Sequence, residues 1–230
     1  MFFPIGDDQV QGGHTPYVAY GFIALNILIF IFQFQMGPQD GQAFVNDWGA
    51  VPARIQNGES IETLLTSAFL HGGWAHLLGN MLYMWIFADN VEATIGSAAF
   101  LIFYLLGAVA ANFCHIYFNL GSTIPAVGAS GALSAVMGAY IVMFPRSNVR
   151  GFLIFFAVNI PAWIFLAFWF WQQSSAGYRS LGEEAGTGIA WWAHIGGFVF
   201  GVLAGLFFRT RYHIPRAKDG FRSRRNRPYV

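Results

Sequence analysis

Six long apolar segments follow one another along the chain and are separated by polar or glycine-rich stretches. Each segment is close to the roughly 20 residues that a helix needs to cross a bilayer. The pattern predicts an all-α, polytopic membrane protein with six transmembrane helices, at 17–36, 75–95, 98–119, 128–144, 151–171 and 189–208. Two connections are long. We expect 37–74 to fold on the membrane surface, because its apolar stretches are too short to span, and 172–188 is rich in glycine.

The composition excludes a soluble globular protein. Only 10% of the 230 residues are charged, whereas 56% are hydrophobic. A soluble domain typically carries about 25% charged residues, so this chain lacks the charge that a water-exposed surface needs. The high apolar content also excludes a disordered chain, and the single cysteine, Cys114, can form no intrachain disulfide.

The basic residues predict the orientation of the six helices. Ten of the twelve lysines and arginines would lie on one side of the membrane: Arg146, Arg150 and the eight between 209 and 230. The positive-inside rule then places both termini in the cytoplasm. We therefore divide the chain into a cytoplasmic segment (1–16), which has no features of a cleavable signal peptide, a membrane domain (17–208) and a basic cytoplasmic tail (209–230).

The tail is interpreted as an anchor on anionic lipid, because clustered basic residues next to a membrane helix are attracted to that surface. It has few aromatic residues and no nucleic-acid-binding motif. We therefore expect the lipid bilayer, and no nucleic acid, as its partner.

Four polar side chains fall at a common depth in the outer half of the predicted bundle. His76 and Asn80 lie one turn apart at the start of the second helix, Ser130 begins the fourth, and His194 lies near the start of the sixth. Polar residues inside a membrane are costly and often functional. A serine needs a base to take its proton, and a neutral imidazole is the usual one. Ser130 and His194 are therefore the candidate catalytic pair.

The same region offers donors for the oxyanion that forms when a carbonyl is attacked. These donors are His76, Asn80 and the backbone N–H groups at the start of the fourth helix. An acidic third member is not evident, since Asp89 lies more than about 13 Å from Asn80 along the helix. A Ser–His dyad is the simpler interpretation, and Glu183 and Glu184 in the connection 172–188 are the alternative.

The fourth predicted helix is short and rich in small residues. From Ser130 to Phe144 it spans about 22 Å, less than a hydrocarbon core of about 30 Å. Its start would therefore lie below the outer surface, against protein or a water-filled cavity. Small residues let two helix backbones approach closely. We expect such contact between two sets: Gly131, Ala135, Gly138 and Ala139 on the fourth helix, and Gly197, Gly201 and Gly205 on the sixth.

Three motifs together resemble those of the rhomboid intramembrane serine proteases: HGGWAHLLGN at 71–80, GASG at 128–131, and AHIGG at 193–197 followed by Gly201. The resemblance covers roughly 17–208. It implies Ser130 as the nucleophile, His194 as the general base, and His76 with Asn80 at the oxyanion. Some rhomboids carry a tyrosine one turn after the nucleophile that packs on the base. Here that position is Ser134, and Trp191 or Trp192 is the expected substitute.

The resemblance also implies a substrate and a route to the site. The substrates would be single-pass membrane proteins, cut in or near their transmembrane helix without a cofactor or metal. The fifth helix and the connection 172–188 would form a gate and cap. We expect lateral access past the outer half of that helix, at Phe165, Phe168 and Trp169. The six-helix form is that of prokaryotic members, which implies a prokaryotic inner membrane; the oligomeric state is left open.

Three other functions fit the sequence less well. A proteolytically inactive rhomboid-like binding or quality-control factor would keep the fold but lose the serine or the histidine, and both are present here. A metalloenzyme using His71, His76, His115 and His194 would lack the His-Glu-x-x-His motif and a carboxylate at that depth. A channel or transporter normally carries charged residues near mid-membrane or broken helices in paired halves.

Overall fold

The computed structural model describes residues 2–10, 13–181, 189–214 and 217–218. The described part of the chain is mostly helical. In chain order the helices are α1 (Tyr17–Gln35), α2 (Gly37–Trp48), α3 (Pro52–Gln56), α4 (Thr63–Thr66), a 3-10 turn (Ser67–Phe69), α5 (Trp74–Ile95), α6 (Ser97–Phe118), α7 (Ser130–Met143), α8 (Ala162–Ser180) and α9 (Trp191–Arg211). The strands are β1 (Phe2–Asp7), β2 (Gln9–Val10), β3 (Asn148–Leu153), β4 (Phe156–Pro161) and β5 (Ala217–Lys218).

Three helices within the described ranges, α1, α6 and α9, are long and apolar enough to cross a membrane. Helix α7 is apolar but has only 14 residues. Helices α5 and α8 contain more polar residues, which lowers their mean hydropathy. Large apolar side chains on the outer faces are exposed, among them Phe32, Ile102 and Leu203. An apolar surface of this kind fits contact with lipid.

The prediction of a fifth helix at 151–171 is wrong in its boundaries. Residues 148–161 form the antiparallel hairpin β3–β4, and α8 begins only after Pro161 and continues to Ser180. A short apolar run such as 151–160 fits a strand as well as a helix, so periodicity cannot separate the two. Residues 172–180, expected in a loop, are therefore helical, whereas 182–188, with Glu183 and Glu184, lie outside the described residues.

The strands also correct the all-α fold class. Strand β1 pairs antiparallel with β3, which gives a three-stranded sheet in the order β1-β3-β4. Strand β2 pairs with β5, so the N-terminal segment and residues 217–218 lie at the same end of the bundle. We call this the sheet end. The opposite end, where α5, α7 and α9 begin, is called the site end. The rest of the predicted tail, except 209–214, lies outside the described residues.

Buried polar residues fasten the N-terminal segment at the sheet end. The Asn90 side-chain amide donates to the Asp7 carboxylate at 2.7 Å and to the Asp8 carbonyl at 2.8 Å. The Tyr140 hydroxyl also donates to Asp7. Arg150 of β3 forms an ion pair with Asp8 at 2.6 Å. These contacts join β1 to α5, α7 and the hairpin in one hydrogen-bonded network.

A carboxylate from α5 caps the start of α1. Glu92 is fully buried, and its two oxygens accept the backbone N–H groups of Val18 at 2.9 Å and Ala19 at 2.7 Å. The first N–H groups of a helix have no intrahelical partner, and a negative charge there is stabilising. The Ser97 hydroxyl donates to the same carboxylate. Glu92 therefore serves the fold at the sheet end.

Helix α7 lies at the centre of the bundle and is buried over most of its length. The backbone of Gly197 lies directly on the Gly131 carbonyl, and that of Gly201 on the Ala135 carbonyl. A Cβ atom on either α9 glycine would overlap these carbonyls. The predicted close contact between the fourth and sixth helices is thus confirmed, and it brings their first turns together.

The segment between α1 and α5 packs at the site end as short helices and turns. Its backbone meets the loop that leads into α7: Ala50 pairs with Ala126, and the Gly128 N–H donates to the Ser67 carbonyl at 2.9 Å. Asn112 of α6 donates to the Leu64 carbonyl at 2.9 Å. These bonds satisfy buried backbone groups and set the approach to Ser130.

Candidate active site

The structure brings Ser130 and His194 into direct contact. Ser130 is the first residue of α7, and His194 lies in the first turn of α9. The His194 Nε2 atom is 2.8 Å from the Ser130 hydroxyl oxygen. The other ring nitrogen, Nδ1, faces the Gln173 side-chain oxygen, which can only accept, so the hydroxyl donates to Nε2. The neutral imidazole then carries its proton on Nδ1.

The other ring nitrogen of His194 meets Gln173, a residue that sequence analysis missed. Its Nδ1 atom is 2.7 Å from the Gln173 side-chain oxygen. Gln173 is only 8% exposed. The sequence analysis ended the fifth helix at 171 and left this position in a loop. The sequence after Trp171, QQSSAGYRS, has no apolar periodicity that could have placed it on the helix.

Two tryptophans, Trp169 and Trp191, lie beside His194. Of the two residues expected to replace the tyrosine missing at 134, Trp191 is there and Trp192 is not. The Trp191 ring lies 6.2 Å from the imidazole at a right angle. Trp169 lies 6.0 Å away. Trp192 instead stacks on Phe118 at 3.6 Å. Ser134 donates its hydroxyl to the Ser130 carbonyl at 2.6 Å, a contact within α7.

His76 lies against the turn that precedes the serine. A Cβ atom on Gly128 would be 2.6 Å from the His76 Nε2 atom, and Gly128 has a φ of +121°. Glycine is therefore needed here both for its conformation and for the space it leaves. The Gly72 N–H approaches His76 Nδ1 at 3.4 Å, which leaves the proton on Nε2, facing the start of α7.

Asn80 is held by His71. Its side-chain nitrogen is 2.9 Å from His71 Nε2. Burial lowers the pKa of His71 to about 3, and the nearby His76 adds to this effect. His71 is therefore neutral at physiological pH, and its Nε2 lone pair can accept one amide proton of Asn80. The second amide proton stays available toward the site. Sequence analysis named His71 only within the 71–80 motif and as a possible metal ligand, and it did not foresee this contact.

These side chains line a cavity of about 860 Å³ at the site end. A cavity of this size can accept a segment of an extended peptide, since small-molecule sites typically measure about 300–1,000 Å³. Helix α7 begins beside the cavity without a side-chain cap, so its first N–H groups have no intrahelical partner. The residues that line the cavity include His76, Asn80, Ser130, Trp169, Gln173 and His194.

The three predicted gate residues take different positions on α8. Phe165 stacks on Phe87 of α5 at 6.1 Å and meets Phe2 of β1 at 5.6 Å. Phe168 faces outward and is 56% exposed. Trp169 lines the cavity. All three lie in the first half of α8, which is the half nearer the sheet end. Their predicted position in the outer half of the helix is therefore wrong, because the helix starts and ends about ten residues later than predicted.

Comparison with known proteins gives consistent matches. The Rhomboid domain family model matches residues 58–211. Rhomboid protein 1, mitochondrial, from Saccharomyces cerevisiae is 31% identical over 168 residues, which cover 71% of this chain and 44% of the relative. Rhomboid protease GluP from Bacillus subtilis is 34% identical over 146 residues, 63% of this chain and 28% of the relative.

Rhomboid protease GlpG from Yersinia enterocolitica is 27% identical over 171 residues, which cover 74% of this chain and 56% of that protein. The matched segments thus span 28% to 56% of the length of these relatives. The family model covers about two thirds of this chain, including α5 to α9 and every polar residue that lines the cavity. With its long apolar helices, the chain is an integral membrane protein that belongs to the rhomboid family.

Proposed function

We propose that this chain is an intramembrane serine endopeptidase that hydrolyses peptide bonds in or near the transmembrane segments of single-pass membrane proteins. One observation carries the proposal: the Ser130 hydroxyl lies 2.8 Å from His194 Nε2 inside a cavity large enough for a peptide. A factor that only binds membrane proteins has no need of a serine held against an imidazole, so this contact favours catalysis.

The first half of the reaction forms an acyl-enzyme. The Ser130 oxygen attacks the substrate carbonyl carbon while His194 Nε2 takes the hydroxyl proton. The carbonyl oxygen becomes an oxyanion, which the His76 Nε2–H, the free Asn80 N–H and the first N–H groups of α7 stabilise. The imidazolium then gives its proton to the amine leaving group, and the peptide C–N bond breaks.

The second half releases the acyl group. A water molecule in the cavity loses a proton to His194 and attacks the ester carbonyl. The same donors stabilise the second oxyanion. The imidazolium returns a proton to the Ser130 oxygen as the C–O bond breaks, which frees the carboxylic acid and restores the dyad.

In this proposal all six long helices cross the bilayer, and the sheet end faces the cytoplasm of a prokaryotic cell. Arg146 and Arg150 lie at the sheet end, as do both described terminal segments. This charge distribution supports the orientation. The cavity then opens near the outer surface, where water reaches it. Helix α7 is too short to carry Ser130 to that surface, so the serine lies within the membrane thickness.

The test is cleavage by the full chain, reconstituted in liposomes, of a single-pass fusion protein. The wild type should cleave it, and Ser130→Ala should not. Ser134→Ala is the matched control, because Ser134 lies one turn further on α7 and its hydroxyl is occupied by a backbone carbonyl. We expect this control to cleave. Undiminished cleavage by Ser130→Ala, or loss of wild-type cleavage with a metal chelator, would overturn the proposal.

A further inference from the structure

The structure assigns to Gln173 a positioning role. Its side-chain carbonyl accepts a hydrogen bond from the Nδ1–H of His194 and so orients the imidazole. The imidazole keeps this orientation only while α8 is packed against α9. This inference rests on the proposed function and deepens it. It adds a third member to the predicted dyad and places that member on the helix expected to move.

The geometry defines which tautomer of His194 is useful. A neutral imidazole carries one proton, on either Nδ1 or Nε2. With the proton on Nε2 the ring could not accept the Ser130 proton. Gln173 accepts a hydrogen bond from Nδ1 at 2.7 Å, on the side of the ring opposite to Ser130 at 2.8 Å. Two partners on opposite sides fix both the ring rotation and the tautomer.

The partner is an amide rather than the carboxylate that completes the triads of soluble serine proteases. Gln173 is buried, and Trp169 lies beside the imidazole. A carboxylate in such surroundings carries a large desolvation cost. A neutral carbonyl orients the ring at lower cost, and its dipole still stabilises the imidazolium that forms during each proton transfer.

The position of Gln173 couples this hydrogen bond to the packing of α8. Leu166, Gln173 and Gly177 are spaced by seven and four residues, and all three are buried on one face of the helix. At Gly177 the two helices are close, because a Cβ atom there would lie 2.9 Å from the Ile195 side chain. A shift of α8 by a few ångströms would break the bond from Gln173 to His194. Movement of α8 away from α9 would therefore leave the His194 imidazole free to rotate, and the return of α8 would restore its orientation.

The neighbouring glutamine provides a matched control. Gln172 has the same side chain on the same helix but is exposed. Three variants separate the possible roles: Gln173→Leu removes the acceptor, Gln173→Glu keeps an acceptor oxygen, and Gln172→Leu makes the same change outside the site. Each is reconstituted as the full chain, and kcat and KM are measured with a membrane-embedded peptide substrate, with Ser130→Ala alongside.

We expect Gln173→Leu to lower kcat about 100-fold, the usual cost of a misplaced catalytic group, with KM changed less than about twofold. Gln173→Glu should recover part of this loss, because it keeps an acceptor oxygen but adds the desolvation cost of a carboxylate, and Gln172→Leu should match the wild type. Wild-type kcat in Gln173→Leu, with Ser130→Ala inactive, would overturn the inference and leave the proposed function intact. Equal losses in Gln173→Leu and Gln173→Glu, in step with lower melting temperatures, would reduce Gln173 to a packing residue.

A spectroscopic test covers the case in which the variants fail to fold. In wild-type protein labelled with ¹⁵N at histidine, His194 should show a protonated Nδ1 and an unprotonated Nε2. In Gln173→Leu the two tautomers should mix. A wild-type His194 with its proton on Nε2 would overturn the inference without any activity measurement.

Discussion

Two polar clusters lie at opposite ends of the bundle and have opposite properties. The anchor cluster, at the sheet end, is mostly buried and consists of Asp7, Asp8, Asn90, Glu92, Tyr140 and Arg150. The proposed catalytic cluster, called the catalytic cluster from here on, is partly exposed at the site end and consists of His76, Asn80, Ser130, Gln173 and His194. In the anchor cluster the carboxylates accept hydrogen bonds from several fixed donors. In the catalytic cluster the donors and the serine face a cavity.

We expect the anchor cluster to determine the stability of the fold and the catalytic cluster to determine the rate of the proposed reaction. A buried polar network whose members are all paired makes one arrangement of the chain unique. A cluster whose hydrogen-bond donors face a cavity can instead stabilise the negative charge that develops on a substrate during a reaction. Changes in the catalytic cluster should therefore lower the rate more than the stability, and changes in the anchor cluster should do the reverse.

The largest effect should come from the dyad. Ser130→Ala and His194→Ala should each lower kcat by at least about 10³-fold, and the double variant should be no worse, because both residues serve one proton transfer. Steady-state cleavage in liposomes and the melting temperature of each variant are the measurements. Multiplicative losses in the double variant, or more than a few per cent of activity in either single variant, would contradict the assignment.

The oxyanion donors should come next. His76→Ala and Asn80→Ala should each lower kcat, by up to about 10²–10³-fold for a single donor, with little change in KM, because they act mainly in the transition state. The loss is smaller if the remaining donors compensate. Leu78→Ala, on the outer face of α5, is the control. A double His76/Asn80 variant with wild-type kcat would remove both residues from the catalytic cluster.

A smaller effect, in the opposite direction, is expected at the gate. Phe165→Ala removes the stacking of α8 on Phe87 of α5, so α8 should open more easily and embedded substrates should be cleaved a few-fold faster. Cleavage of a soluble unfolded peptide should change much less. Phe168 faces outward, so Phe168→Ala is the control. Equal acceleration of both substrates by Phe165→Ala would show that α8 is not the gate.

The anchor cluster should affect stability and leave the rate alone. Asp8→Asn removes the charge that pairs with Arg150. A hydrogen bond to a charged group contributes about 1.5–3 kcal/mol, so the free energy of unfolding in detergent should fall by about that amount. Specific activity of the folded variant should stay at the wild-type level. A large loss of kcat with unchanged stability would break the comparison between the clusters.

The same substitution should also change the dependence of stability on pH. Burial alone would raise the pKa of Asp8, but hydrogen bonds from Arg150 and Asn148 outweigh it and lower the pKa below its usual value. The stabilisation is therefore present above the unfolded pKa of about 3.9 and is lost as the pH falls through the lower folded value. The stability difference between wild type and Asp8→Asn should thus shrink in acid. A difference that grows there would contradict this origin.

The motifs predicted which polar side chains meet at the site end better than the apolar pattern predicted the boundaries of the helices. His76 and Asn80 share a helix face by their spacing, and the glycines of α7 and α9 indicated which helices touch. The hairpin at 148–161 was missed, because an apolar run of this length fits either structure and its partner strand is β1, far away in the sequence. Gln173 was missed for the same reason, since the helix that carries it was placed about ten residues too early.

The sequence did not predict the anchor cluster, for a different reason. Asp7 and Asp8 were assigned to a cytoplasmic segment, and Asp89 was judged only by its distance from Asn80 along the helix. The burial of Asp7 and Asp8 follows from the pairing of β1 with β3, which no local pattern in residues 1–16 indicates. Contacts between residues more than a hundred positions apart are decided by packing and not by spacing along the chain.

Covalent labelling by a fluorophosphonate tests the central claim most directly, namely that His194 activates Ser130 in the cavity. Peptide mass mapping of the full chain in its membrane should place the adduct on Ser130, with none on Ser134. Labelling should disappear in Ser130→Ala and His194→Ala and should be indifferent to chelators. An adduct on another residue, or undiminished labelling of Ser130 in His194→Ala, would contradict the account.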